Sequence, residues 1–337
     1  MNPNHTIQNL KKTDLPLGSQ KVWYLKLNDP VTHRALWLRF SLLCSGNGFK
    51  RVAETWAVFF EKSSNQKEIK KVAIKQTHDI SAFSTNDQFD IRIGECELSE
   101  NHTRGNIQSK GNTIQWDLAL TQGRKSSFNL VPQFFAKSKL IKNSMLTDNE
   151  ELLFSGTTQV NGETIQWKEA IGMQGHVEGP KSGHSWVWGQ CNLFTDDQGK
   201  TADLVYEGLS ARAKFGPLVT PSLSSFYFYY NNQNYYFNTL RDALFIKSKH
   251  TLNEWEFQAD RNDISFRGHA KAEHKDFAGL TYEDTNGSLL YCANSKLSDL
   301  QLLVYKSGKL EAAFNAQGTA AFEVVSREKN PYVPMLI

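Results

Sequence analysis

The chain has 337 residues and a formal charge of only +3, with Lys and Arg dispersed among Asp and Glu. That length exceeds a usual single domain and fits two, each able to bury a large core. No basic block marks a nucleic-acid surface, and no apolar run reaches the roughly 20 residues of a membrane span.

Residues 1–14 read as a flexible polar arm that lacks the apolar centre of a signal peptide. Cys44, Cys96, Cys191 and Cys292 lie far apart and form no C-x-x-C pair. That spacing argues against a disulfide framework or a metal knuckle and points to a reducing cytoplasm. The aromatic share, 12%, suits a protein built on pleated surfaces.

From Lys21 the grammar is strand, turn, strand. Residues 22–27 form a first strand, broken at Asn28-Asp29-Pro30; residues 35–44 form a second, and 53–61 a third. A charged residue interrupts the apolar run in two of them, Arg39 beside Trp37 and Phe40, and Glu54 before Trp56. Period-two patterning turns such residues to the face opposite their neighbours, solvent or lumen in a closed sheet. Lys110-Gly111-Asn112-Thr113 and Asn161-Gly162 are hairpin turns. Residues 126–149 are less regular, and the part from Val131 onward reads as a loop that covers a barrel end.

The same grammar returns at residues 186–194, 202–209, 226–230, 235–237, 255–259, 264–272, 289–293, 300–305 and 310–314, with one short helix near 239–246. Short strands at this spacing predict an all-β fold. Trp23-Tyr24 and Trp186-Val187-Trp188 open the two halves alike, a weak repeat of a whole domain. The expected division is therefore a first β-domain over 15–170 and a second over 171–337.

Between them, residues 172–194 join a Gly-rich stretch carrying His176, Glu178, Lys181 and His184 to the strand Trp186-Val187-Trp188-Gly189-Gln190-Cys191-Asn192-Leu193-Phe194. The strand resembles the W-x-W-x-Q-C-N-x-F run of tocopherol cyclases. Gly172-Met173-Gln174-Gly175-His176 with Gly179 and His184 is similar to the Gly/His stretch of related bacterial proteins, and Trp23-Tyr24-Leu25-Lys26 to their W-Y-x-K opening. The family is the two-domain lipocalin-like (calycin) group of tocopherol cyclase, the carotenoid 1,2-hydratases (hydroxyneurosporene synthase-like) and the AttH-like bacterial proteins. The chain departs from it at Val177-Glu178-Gly179, where Asn-Trp-Gly is common. The resemblance implies two consecutive antiparallel β-barrels, closed or partly open. It also implies a prenyl, quinone or polyene-like ligand and proton-initiated cyclisation, hydration or isomerisation.

Such chemistry needs an acid kept protonated by an apolar site and aromatic faces to stabilise a carbocation. Glu178, His176 and His184 are the catalytic candidates, on a loop at a pocket mouth. Trp186, Trp188, Gln190, Asn192, Glu54 and Trp56 are the ligand-binding candidates. Alternation puts Trp186, Trp188 and Gln190 on one face and Val187, Gly189 and Cys191 on the other. The His/Glu/His spacing matches no known metal-ligand pattern, so no metal and no cofactor are expected.

Each feature has a plainer reading: Trp pairs fill barrel cores, loop histidines bond locally, and Cys191 is a structural thiol. Three functions stay open, namely an enzyme acting on a lipophilic molecule, a carrier or sensor of one, and a structural barrel that holds nothing. Residue types alone choose neither the substrate nor the oligomeric state.

Overall fold

The structure, a computed structural model, describes residues 15–63, 68–86, 89–131, 143–180 and 182–337. The expected arm, most of the expected covering loop (132–142) and Lys181 lie outside the described residues.

The first half contributes β1 (Ser19–Asp29), β2 (Arg34–Cys44), β3 (Arg51–Lys62), β4 (Ile69–Asp79), β5 (Phe83–Thr85), β6 (Asp90–Ile93), β7 (Cys96–Ser99), β8 (His102–Ser109), β9 (Asn112–Gln122), β10 (Lys125–Asn129), β11 (Ser144–Val160) and β12 (Glu163–Gly179). They form one antiparallel sheet in the order β4-β3-β2-β1-β12-β11-β9-β8-β7-β6-β5, with β10 beside β11. The sheet curls until β4 meets β8 and β9.

The second half contributes β13 (Ser185–Cys191), β14 (Phe194–Thr195), β15 (Thr201–Ala202), β16 (Leu204–Arg212), β17 (Lys214–Phe215), β18 (Leu218–Val219), β19 (Leu223–Tyr230), β20 (Gln233–Phe237), α1 (Leu240–Phe245), β21 (Lys247–His250), β22 (Glu254–Arg261), β23 (Ile264–Lys271), β24 (Ala278–Glu283), β25 (Leu289–Lys306) and β26 (Lys309–Ser326). Its main sheet runs β20-β19-β16-β13-β26-β25-β23-β22-β21. The helix is fixed by a capping box, with Thr239 and Asp242 exchanging hydrogen bonds. The protein is thus all-β, with two consecutive lipocalin-like, partly open barrels.

The halves repeat one topology. In each, the first strand lies between the second long strand and the last one, β1 between β2 and β12, β13 between β16 and β26. The kinship of Trp23-Tyr24 with Trp186-Val187-Trp188 reflects these matching positions. β12 runs through Ala170 to Gly179, so the expected join near Ala170 falls inside a strand of the first sheet. The passage between sheets occupies residues 180–184.

That strand also corrects the expected loop at Gly172–His176. The glycines there mark close approach of strands. A Cβ on Gly172 would stand 2.0 Å from the Lys26 carbonyl oxygen, and one on Gly175 would stand 2.3 Å from the Tyr24 ring and hydroxyl. The long strands β11 and β25 absorb their length through bulges near Asn149–Leu152 and Ser295–Ser298.

Alternation divides the apolar side chains among three cores. Trp23, Leu25 and Leu27 fill the first barrel. Tyr206, Phe226, Phe228 and Trp255 fill the second. The third core lies between the barrels, where Tyr24, Trp37, Trp56, Trp188, Tyr227 and Leu290 meet. Strands β1, β2 and β13 are therefore buried on both faces, which explains their nearly unbroken apolar runs.

Candidate functional site

The two first strands face each other across the third core. Tyr24 meets Trp188 edge to face, ring centroids 5.8 Å apart. Two residues along each strand, Lys26 donates to Gln190 at 3.0 Å. Two further along, Asn28 donates to the Lys296 carbonyl at 2.7 Å, and Asn192 donates to the Glu150 and Gly172 carbonyls at 2.9 and 2.8 Å. Gln190 and Asn192 thus tie the barrels together.

Beside this seam the faces part around a cavity of about 570 Å³, within the range of small-molecule sites. Its walls come from both halves. The first gives Val22, Tyr24, Trp37, Arg39 and Val177; the second gives Trp186, Trp188, Leu209, Tyr282 and Glu323. Phe215, the exposed last residue of β17, also lines it. Apolar side chains fill the cores of both barrels, and this cavity lies between them.

An acid stands behind the wall. Glu207 is 1% exposed and accepts hydrogen bonds from Trp188 Nε1 at 3.0 Å and Thr147 Oγ1 at 2.6 Å. No cation pairs with it among the described residues. Burial pushes its carboxyl up to about 7, although the two hydrogen bonds pull the other way. Glu207 therefore exchanges a proton near neutrality.

Thr147 also stands near enough to Tyr24 to favour its phenolate. The Tyr24 hydroxyl is nevertheless buried and makes no well-formed hydrogen bond among the described residues. Burial, then the charges of Glu207 and Glu323, raise its pKa well above the usual phenol value, so it keeps its proton.

Opposite, Lys296 is fully buried. It bonds to Glu323 at 2.5 Å and lies 5.4 and 5.3 Å from the ring centroids of Trp37 and Trp188. Asn294 completes the shell of Glu323 at 2.8 Å. The Arg39 guanidinium lies against both Trp56 and Tyr282, 4.8 and 4.7 Å from their centroids.

Of the candidates named from sequence, Trp186 and Trp188 line the cavity. Trp56 and Glu54 stand behind it: Glu54 accepts from Trp56 Nε1 at 3.1 Å and Thr77 Oγ1 at 3.0 Å, which fixes the indole under Arg39. His184 lies at the rim, its backbone N–H on the Arg212 carbonyl, between the cavity-lining residues Gly183 and Trp186.

The neutral acid expected at Glu178 does not fit its surroundings. Val177 faces the cavity, so His176 and Glu178 turn the other way, and His176 lies against Trp23 of the first barrel core. The His176 imidazole, 3.6 Å away, and the Lys21 ammonium, 2.8 Å away, hold the Glu178 carboxyl down at about 2. His176 is itself lowered by burial and acts as a neutral ring. Glu178 is accordingly an ion-paired carboxylate.

Tyr24, Arg39, Glu207, Lys296 and Glu323 were not among those candidates. Arg39 and Glu207 share the signal that singled out Glu54, a lone charge in an apolar strand.

No protein-family model matches the sequence, and no curated protein matches it significantly. The fold is similar to that of a putative AttH from Nitrosomonas europaea (TM-score 0.51, 10% identity, 91% of this chain and 92% of that chain). It is also similar to kievitone hydratase from Nectria haematococca (TM-score 0.52, 9% identity, 91% and 88%) and to CghA (TM-score 0.55, 6% identity, 93% and 90%). CghA has also been solved with Sch210972. These likenesses extend over both halves and establish a shared two-barrel lipocalin-like architecture. Among the described residues no helix is long and apolar enough to cross a membrane.

Proposed function

We propose that the cavity between the barrels binds a largely apolar small molecule and protonates one of its carbon–carbon double bonds. The reaction is then cyclisation, hydration or isomerisation. The observation that carries this reading is the series Glu207, Thr147, Tyr24: a buried carboxyl half-protonated near neutrality, one bonded hydroxyl, and a phenol in the wall of an aromatic cavity. A structure-sharing protein named kievitone hydratase, and another solved with Sch210972, support a ligand-bearing role for the fold.

In the step we envisage, the Tyr24 proton passes to one alkene carbon as the π pair forms the new C–H bond. Thr147 returns a proton to Tyr24 and takes one from Glu207, which is left a carboxylate. The faces of Trp37, Trp188 and Tyr282 border the cation formed at the other carbon. Loss of a proton, attack by water or attack by a second π bond then gives the three outcomes.

Tyr24→Phe tests the route, because it removes one oxygen and keeps the ring over Gly175. The molecule extracted from the protein is incubated with enzyme in deuterated water and examined by mass spectrometry. Wild type is expected to place deuterium on carbon, and Tyr24→Phe to bind the molecule while losing at least about a hundredfold of that exchange. Equal exchange in both would remove Tyr24 from the path. Binding without exchange in wild type would favour a carrier.

A further inference from the structure

Resting on that cavity, we infer that its ligand is an organic anion, an apolar body with one negative charge on oxygen, and that Arg39 is the residue that receives the charge. The guanidinium lines the cavity and lies against the neighbouring rings of Trp56 and Tyr282, whose centroids are 4.8 and 4.7 Å from it. Arg39 Nε is buried and has no hydrogen-bond partner among the described residues. No carboxylate of the described residues comes within ion-pair distance of Arg39. Partly burying a cation without a counter-charge carries a cost, which an anion entering the cavity would offset.

Four of the other five half-buried arginines show the contrast, Arg51 being the exception. Arg34 pairs with Glu61, Arg124 with Asp203, Arg261 with Asp242, and Arg327 with Asp284. Near Arg39 the acids are already committed. Glu54 holds Trp56 and Thr77 and lies 3.7 Å from Lys75; Glu323 is bonded to Lys296 and Asn294. Glu207 is bonded to Trp188 and Thr147. Glu323 is offset by Lys296, so with Glu207 protonated the cavity lining, which also carries Arg212 and Lys214, is net positive, and Arg39 is the lining cation with a buried, unbonded N–H.

An anion on Arg39 also removes a difficulty in the proposed chemistry. A bare guanidinium repels a carbocation formed in the same cavity, whereas an anion seated on Arg39 neutralises it. Arg suits this task, since its fork can meet a carboxylate or enolate oxygen with two N–H groups. Tyr24 is the cross-strand neighbour of Arg39 on β1, so a ligand anchored there has its body beside the phenol.

Dodecanoate and dodecanol, which share a chain and differ in the charged end, serve as probes. Their binding to the full chain at about pH 6, below the value of about 7 at Glu207 so that this acid is mostly neutral, is read by quenching of tryptophan fluorescence below their micelle concentrations. Dodecanoate is expected to bind at least about tenfold more tightly, as charged hydrogen bonds of this kind supply. In Arg39→Gln the two should bind alike, with dodecanol unchanged. Equal affinities in wild type would overturn the inference and leave the apolar cavity standing; this comparison does not depend on the variant folding. A preference that persists in folded Arg39→Gln would also overturn it. Failure of both probes to bind wild type would overturn the inference together with the cavity reading on which it rests.

Discussion

Glu207→Gln is expected to lower turnover by about 10²–10⁴-fold, the range typical of a lost general acid. The same change should leave the fold intact, because Gln can accept from Trp188 and donate to Thr147. The variant also has a signature that needs no substrate. Burial raises the Glu207 carboxyl from 4.5 to about 7 in the folded protein. Between those values the folded chain binds a proton that the unfolded chain does not, so stability falls as pH rises. The loss is complete above about pH 7 and amounts to about 3 kcal/mol. Gln carries no such penalty. Urea unfolding should therefore find wild type and variant similar near pH 4.5, and the variant more stable at pH 8. Parallel stability curves across this interval would show that Glu207 does not titrate there, and would remove it as the proton source.

Lys296→Met is expected to destabilise the protein by about 3–5 kcal/mol, because it leaves Glu323 as a buried carboxylate without its cation. Lys296 is wholly buried and Glu323 is 10% exposed, so water cannot screen the loss. The ammonium also caps the faces of Trp37 and Trp188, so the cavity wall should loosen. Replacing both partners, Lys296→Met with Glu323→Leu, should recover most of the stability, since a well-packed apolar pair avoids two desolvation costs. Denaturant unfolding of the two singles and the double forms a closed cycle. A cost below about 1 kcal/mol for Lys296→Met would mean that the pair is solvated and does not organise the seam.

Much of the fold is written in period-two patterns and turn residues. Asn161-Gly162 set the β11–β12 hairpin, and Arg39 and Glu54 appeared as lone charges in apolar strands. What sequence could not reveal is which surface each face meets. Val22 and Trp23 are both apolar, yet Val22 borders the cavity and Trp23 fills the first barrel. A strand buried on both sides gives no polar stripe by which to tell lumen from seam. Gly172 and Gly175 look like a flexible loop until Lys26 and Tyr24 are seen lying across them.

Glu178 sits among histidines in the sequence, and its ionised state is set by His176 on its own strand together with Lys21, distant in sequence and adjacent in space. The state of Glu207 is not legible in the sequence, since it depends on burial that only the assembled halves create and on Thr147 from the other barrel.

The central claim is that the seam between the barrels holds an apolar ligand. Organic extraction of freshly purified protein, read by mass spectrometry, tests it most directly. The account predicts a near-stoichiometric molecule with a largely hydrocarbon body and one acidic oxygen, depleted from the Trp188→Ala variant if that variant remains folded. An empty extract, repeated with protein taken from its native host, would contradict it and leave the cavity as unfilled space between two structural barrels.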